Sequence, residues 1–355
     1  MAPDGNSPLT QLPLIPAAVL RQHRVLERND TRFRACARLL QALWRETQEL
    51  PIGQFEPPSR RPRRIGSLIN NAAAEAGRNF LSPAVAHLAH REVAWQERGA
   101  LIDRRRLFSN LLSSQPLCFN LFAPLRLNSD LAGKVVRSVI PGIDLARVLH
   151  VWFEHSPGRR DQAYTDDRTA FDVAIIYERG DGGRCFLGIE MKYSETGTEA
   201  APGDLAARYG ELADASGLFK TPSSPSLRRP PFQQLFREHL LAFAALQTGE
   251  YAEARFIQIA PRHNHQVQQN AARYAAQLSD PAGGSVPFIV LELEQVIEAI
   301  GWAGELDYAY ALHDRYVNFW KLEPLVDEAL RAKAGTWTIR PPRPVQPLSL
   351  LAKAA

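Results

Sequence analysis

Two segments, FDVAIIY (171–177) and RCFLGIEMKYSE (184–195), joined by the turn Arg179-Gly180-Asp181-Gly182-Gly183, decide how this chain reads. Both are short apolar runs rich in β-branched and aromatic residues, and the Gly-rich link between them predicts an antiparallel hairpin. Side chains alternate along a strand. Glu190 and Lys192 therefore share one face, while Leu187, Ile189 and Met191 take the other. Asp172 shares its face with Ala174 and Ile176; Val173, Ile175 and Tyr177 point away. Each strand is expected to be apolar on one face, with charge left at the start of the first and the end of the second. In an antiparallel hairpin those ends are neighbours, so Asp172 can reach Glu190 and Lys192 across 18 positions of sequence.

Three ionisable groups in an apolar strand pair are costly unless they partner one another or a ligand. Two converging carboxylates repel and invite a cation, and hard oxygen donors favour Mg²⁺ or Mn²⁺. Asp172 and Glu190 are the expected metal ligands, with the Met191 carbonyl as a further one. A metal so held activates water and stabilises charge developing on a phosphate. Lys192 would position or deprotonate the water, or neutralise the phosphorane. The competing reading is a buried salt bridge from Lys192 to Glu190 or Asp172 that only fixes strand register. With 38 acids and 6 lysines, acid-x-Lys should arise by chance roughly 0.6 times in such a chain. The tripeptide alone is therefore weak, and its position beside an acid-bearing strand carries the argument.

Working outward, Asp30-Thr31 offers an N-cap for TRFRACARLLQALWRETQEL, where Phe33, Ala37, Leu40, Leu43 and Trp44 recur at helical spacing before Pro51. Residues 1–20 are Pro-rich and are expected to gain order only by packing. Residues 51–65 read as a Pro/Arg linker closing an N-terminal segment (1–65). In it, Arg60, Arg61, Arg63 and Arg64 form either a solvated run or a phosphate-contacting arm. Residues 66–141 read as a helical region whose end joins the core, with an interruption at Pro116.

The core, 142–335, carries strands near 145–156, 170–179 and 184–194, helices near 204–215 and 232–247, and a strand at 254–261. A helix, a strand at 287–294 and further helices follow, the last long (305–332) and bent at Pro324. Residues 336–355 read as a Pro-rich basic tail. A strand meander, then helices, then more strands predicts an α/β chain with a mixed sheet flanked by helices on both faces.

Composition narrows the function classes. No apolar run reaches the roughly 18 residues of a membrane span, and no charged-then-apolar secretory signal opens the chain. Cys36, Cys118 and Cys185 form neither a disulfide framework nor a zinc knuckle, which suits a reducing cytoplasm. The 42 basic residues are 36 Arg and 6 Lys, so any one lysine is less expected by accident. His263-Asn264-His265 spells HNH, but a nuclease of that kind spreads these residues over a ββα unit. His87 and His90 lack a third ligand at matching spacing. Gly180-Asp181-Gly182-Gly183 precedes a strand rather than a helix, so it is a turn and not a phosphate cradle.

The order helix, strand, Asp-strand, Glu-x-Lys strand, helix, strand resembles the PD-(D/E)XK nuclease superfamily, the restriction-endonuclease-like fold. Asp172, Glu190 and Lys192 are the matching residues; Phe171 stands where proline often precedes the aspartate. The segments NLLSSQPLCFNLF (110–122), FEHSP (153–157) and IEMKYSE (189–195) further resemble an uncharacterised bacterial branch of that superfamily. The likeness spans about residues 95–320 and implies Mg²⁺-dependent phosphodiester hydrolysis, but does not give the substrate. The expected function is a DNA endonuclease, with restriction, defence or repair as a setting drawn from the fold alone.

Around this triad stand second-tier candidates. Glu154 is either a third carboxylate or a partner of Arg159 or Arg160. Gln233 and Gln234 open the helix after the Glu-x-Lys strand, where related nucleases can carry a glutamine that touches the site. Lys220, Arg228, Arg229 and Arg237 surround that helix start and either contact phosphates or stay solvated. A homodimer would supply a second site for the second strand of a duplex. The alternative function is a catalytically silent nucleic-acid-binding or scaffolding module of the same fold.

Overall fold

The computed structural model describes residues 11–56, 61–196 and 207–334. After helix α1 (Ala17–Gln22), α2 (Arg32–Thr47) starts where Thr31 caps it, its hydroxyl accepting from the Arg34 amide at 3.2 Å. Its Phe33, Ala37, Leu40 and Trp44 are buried, as their helical spacing requires. Strands β1 (Ile52–Phe55) and β2 (Arg63–Ile69) then pair antiparallel. This corrects two expectations. The Pro/Arg linker is a small β-hairpin, and the segment from Ser67 begins as strand rather than helix. Pro51 and Pro62 each stand just before a strand, so the ladder forms without them. Arg63 pairs with Glu27 at 3.0 Å; Arg60 lies outside the described residues.

Five helices follow: α3 (Asn71–Glu75), α4 (Pro83–Ala94), α5 (Arg104–Ser109), α6 (Ser114–Leu127) and α7 (Ser129–Val139). The expected break at Pro116 falls earlier, at 110–113, and Pro116 sits in the first turn of α6. Proline is tolerated there because first-turn amides have no intrahelical acceptor.

The central sheet has the order β3-β4-β5-β6-β7. Strands β3 (Arg147–His155), β4 (Phe171–Glu178) and β5 (Arg184–Met191) form an antiparallel meander. Strands β6 (Glu253–Ala260) and β7 (Phe288–Glu292) then add in parallel. The predicted hairpin is present: the Arg179 amide donates to Gly183 at 2.9 Å, and Gly182 takes the positive φ of 86° that the turn needs. Helices α8 (Arg208–Ser216) and α9 (Gln233–Gln247) make the crossover to β6, and α10 (His265–Ala275) that to β7. The expected long C-terminal helix is broken. Helix α11 (Leu293–Trp302) leads to α12 (Leu306–Tyr316), a 3-10 turn (Phe319–Leu322) and α13 (Glu323–Ala334), so the break precedes Pro324.

Both faces of β4 and β5 are apolar, which corrects the one-sided expectation. Val173, Ile175, Tyr177, Leu187 and Ile189 join one core with residues of α2, α6, α7, α11 and α12. Phe171, Ala174, Ile176 and Phe186 join a second core with α8, α9 and α10. A parallel crossover places helices on the faces, so central strands lose the polar alternation of a half-exposed sheet. Phe33 and Leu40 of α2 belong to the first core, which ties the N-terminal segment to the sheet. Arg315 strengthens that tie: fully buried, it donates to Asn79 Oδ1 at 2.6 Å and to Gln41 Oε1 at 3.2 Å.

Candidate active site

The acids gather where β5 and β6 end and β4 begins, at the carboxyl edge of the parallel strands, where open α/β sheets leave a crevice. Register puts them in one row. Phe153↔Val173 and His155↔Phe171 set Glu154 opposite Asp172. Val173↔Ile189 sets Asp172 opposite Glu190, and Glu190 itself pairs with Gln258 on β6. Opposed residues on extended strands share a face, so Asp172, Glu190 and Gln258 line the face that carries α9, while Glu154, beside them, has a left-handed φ of 48°. Asp172 also bonds across the hairpin, Oδ2 accepting from the Met191 amide at 2.8 Å.

Lys192 and the first turn of α9 complete the cluster. Lys192 Nζ lies 2.7 Å from Glu190 Oε1, with only 12% and 4% of the two side chains exposed. It also donates to Gln234 Oε1 at 2.7 Å. The Gln234 amide donates in turn to Glu190 Oε1 at 2.7 Å and Glu238 Oε1 at 2.9 Å. Two carboxylates claim its NH₂ group, which turns its oxygen toward the lysine. Gln234 is thus the helix glutamine that reaches the site; Gln233, one position earlier, is half-buried.

Electrostatics follow from crowding. Burial first, then the Glu190 charge, raises the Asp172 carboxyl well above its usual range, with Glu154 adding to it; Lys192 and the Met191 amide oppose the shift. Glu238 is raised in the same way, by burial and then by Glu190. Burial alone would lower Lys192, but Glu190 and Glu238 outweigh it and hold the ammonium above its ordinary value. Glu154 is raised chiefly by burial. Its carboxylate accepts from the Leu101 amide at 3.1 Å, while Arg159 bonds to its backbone carbonyl, also at 3.1 Å. The Arg159 guanidinium pairs with Glu97 instead, at 2.9 Å.

Sequence reasoning overlooked Glu238 and Gln258, both buried and each with one side-chain oxygen, Oε2 and Oε1 respectively, that has no hydrogen-bond partner. A lone amide in the apolar run RFIQIAP, and an acid four residues after Gln234 on an apolar helix, were the available signals. Glu195 is a third. It accepts from the Ser114 amide at 3.0 Å and from the Tyr193 amide at 2.9 Å, so it satisfies the start of α6 and bends the chain after Lys192. The segments 110–122 and 189–195 therefore touch. Asn264 of the HNH lookalike donates to the carbonyls of Tyr193 (3.0 Å) and Glu195 (3.1 Å), a structural role.

Among the cations near α9, Lys220 donates to the Ala276 carbonyl at 3.0 Å, Arg228 to Pro222 at 2.8 Å, and Arg237 pairs with Asp167 at 3.4 Å; Arg229 is exposed.

Whether these residues fit a divalent metal can be judged from their donors. Among the described residues no three His, Cys, Asp or Glu side chains form a metal cage. Mg²⁺ needs none: it binds through one or two carboxylates and keeps water and phosphate as its other ligands. Asp172 and Glu190, with the unpartnered Gln258 oxygen beside them, make a hard-oxygen set of that kind.

No curated protein and no solved structure matches the chain. Among the described residues no helix is long and apolar enough to cross a membrane. A profile of the PD-(D/E)XK nuclease superfamily matches residues 28–318, most of the chain and all of the five-stranded sheet with its acid row. With that match over a mixed sheet flanked by helices, the chain belongs to the PD-(D/E)XK nuclease superfamily.

Proposed function

We propose that this protein is a divalent-metal-dependent DNA endonuclease of the cytoplasm, working in restriction, defence or repair. Asp172 and Glu190, with the Met191 carbonyl, are its metal ligands and Lys192 its catalytic lysine. The observation that carries the proposal is uncompensated charge: Glu154, Asp172, Glu190 and Glu238 surround a single lysine in a mostly buried row. Such an excess is costly without a cation. Mg²⁺ or Mn²⁺ bound there would supply an activated water and a Lewis acid for the phosphoryl oxygen.

The protein's own groups have separable tasks. Lys192 is held by Glu190 and Gln234, which leaves one of its three N–H donors for a water or a non-bridging phosphate oxygen. Its raised pKa keeps it charged at neutral pH, so it serves as an electrostatic donor rather than as the base. Gln234 orients the lysine. Glu154 and Gln258 flank the two ligands and would touch water molecules around them. Two copies would be needed for both strands of a duplex.

The test compares wild type with Lys192→Ala on plasmid DNA. Wild type should nick or linearise the plasmid with Mg²⁺ and stop with EDTA, and the variant should lose at least about 100-fold in rate. Equal cleavage by the two proteins would refute the assignment. A panel of linear duplex, single-stranded DNA and RNA then fixes the substrate. Calorimetric titration with Mg²⁺ separates an enzyme from a silent module, which would bind no metal through Asp172.

A further inference from the structure

Two loops beside the acid row bring three arginine side chains together. Residues 95–103 join α4 to α5, and residues 156–170 join β3 to β4. They meet at Gly99, where φ is +97°. A methyl group there would lie 3.7 Å from Arg159 Cδ, 3.8 Å from Arg160 Nη2 and 3.8 Å from Arg168 Cδ. Three arginine side chains thus converge on one point.

Only Arg159 is consumed by structure. Its side chain is 1% exposed, and it bonds Glu97, the carbonyls of Gly99 and Arg168, and that of Glu154. Arg160 and Arg168 are exposed, and among the described residues neither forms an ion pair.

The loop that carries them is built, not loose. Arg160 holds a left-handed φ of 62°, and its amide donates to Asp167 O at 2.6 Å. The Asp167 carboxylate accepts from Thr165 Oγ1, the Thr169 amide, Thr169 Oγ1 and Tyr209 OH, each within 2.9 Å. This anchoring fixes the course of the loop at Arg160 and so the direction from which its side chain leaves it.

We propose that Arg160 and Arg168 form a clamp on backbone phosphates of the nucleic-acid strand, one arginine to each, next to the phosphate that is cut. This rests on the nuclease reading above. Arg160 and Arg168 flank one point with neither in an ion pair among the described residues, which favours an anion there, and the planar guanidinium fork matches phosphate oxygens. Position supports it as well. Both loops attach to Glu154, through the Arg159 guanidinium and the Leu101 amide, and Glu154 lies opposite Asp172. A strand lying across Asp172 and Glu190 would carry its neighbouring phosphates over this loop.

Binding is measured by fluorescence anisotropy of a labelled DNA duplex, in EDTA so that nothing is cut, across a salt series. Arg160→Asn with Arg168→Gln should lower the slope of log K against log salt by about 2, one per lost phosphate contact. Asn tolerates the left-handed backbone at position 160. Arg168→Gln alone, an exposed change, should lower the slope by about 1. Arg160→Lys with Arg168→Lys should keep the slope. Arg147→Gln with Arg184→Gln, at the far end of the sheet, should also leave it unchanged. The clamp is overturned by an unchanged slope in the first two variants, by an equal fall in the far-end control, or by a wild type that binds no DNA. Cleavage by wild type with an unchanged slope would remove the clamp and leave the nuclease. A lowered slope on a protein that never cuts would do the reverse.

Discussion

Replacing Asp172 by Asn should make the metal-free protein more stable while it destroys the site. The reason lies in the row Glu154–Asp172–Glu190. Opposed side chains on paired strands have Cβ atoms about 5 Å apart, and two unit charges at that separation repel by roughly 3 kcal/mol at an effective dielectric near 20. Lys192 and the 2.8 Å bond from the Met191 amide offset part of this. Asn keeps an oxygen for that amide, sheds the charge and turns an N–H toward Glu190. A net gain of about 1–2 kcal/mol is expected in EDTA.

The assay is urea denaturation at neutral pH with EDTA, repeated with Mg²⁺. Metal at ten times its dissociation constant should stabilise wild type by about 1.4 kcal/mol and the variant little, so the order narrows or inverts. The pH dependence has a definite sign. A carboxyl raised in the fold means that the native state binds more protons than the unfolded one, so stability falls as pH rises. The fall should begin near the unfolded carboxylate value, about 3.9, and continue through the raised native one. It should be shallower in the Asn variant, where Glu238 still contributes. A variant less stable than wild type in EDTA by more than about 1 kcal/mol would refute the charge-crowding account.

Other perturbations separate the roles of neighbouring groups. Gln234→Leu removes three bonds to charged groups and leaves Glu238 with no partner. Unfolding free energy should drop by about 2–4 kcal/mol, and cleavage by about 100-fold as Lys192 loses one of its two acceptors. Unaltered kcat would argue against its orienting role. Arg315→Leu strands the buried polar atoms of Gln41 and Asn79 and should cost about 3–5 kcal/mol by chemical denaturation, although it lies outside the site. Loss of the bond between the Ser114 amide and Glu195 in Glu195→Ala should lower stability by about 1–3 kcal/mol and raise hydrogen exchange at the start of α6, where an unaffected exchange rate would count against the contact.

Much of the core was readable in the chain because its signals are local. The β4–β5 hairpin follows from two β-rich runs and a Gly turn, and α2 follows from a capping threonine and a helical stripe. Errors arose where tertiary pairing overrides propensity. Ala- and Asn-rich residues 70–75 pulled the reading of Ser67 toward helix, yet β2 runs to Ile69 because β1 pairs with it. The apolar stretch before Pro324 looked continuous, but Val317 and Phe319 turn into the first core and interrupt it.

For the site, the sequence by itself determined Asp172, Glu190 and Lys192 as one cluster, since alternation and hairpin register are properties of adjacent residues. It left Gln233 and Gln234 equal, gave Glu154 two fates, and held Glu238 and Gln258 as ordinary members of apolar segments. Only the tertiary structure decided among these. Parallel pairing of β5 with β6 brings Gln258 beside Glu190, and packing of α9 on that sheet brings Gln234 and Glu238 to Lys192. Those partners are separated by 40 or more positions, so no local pattern encodes them; their meeting depends on how crossover helices settle on a common core.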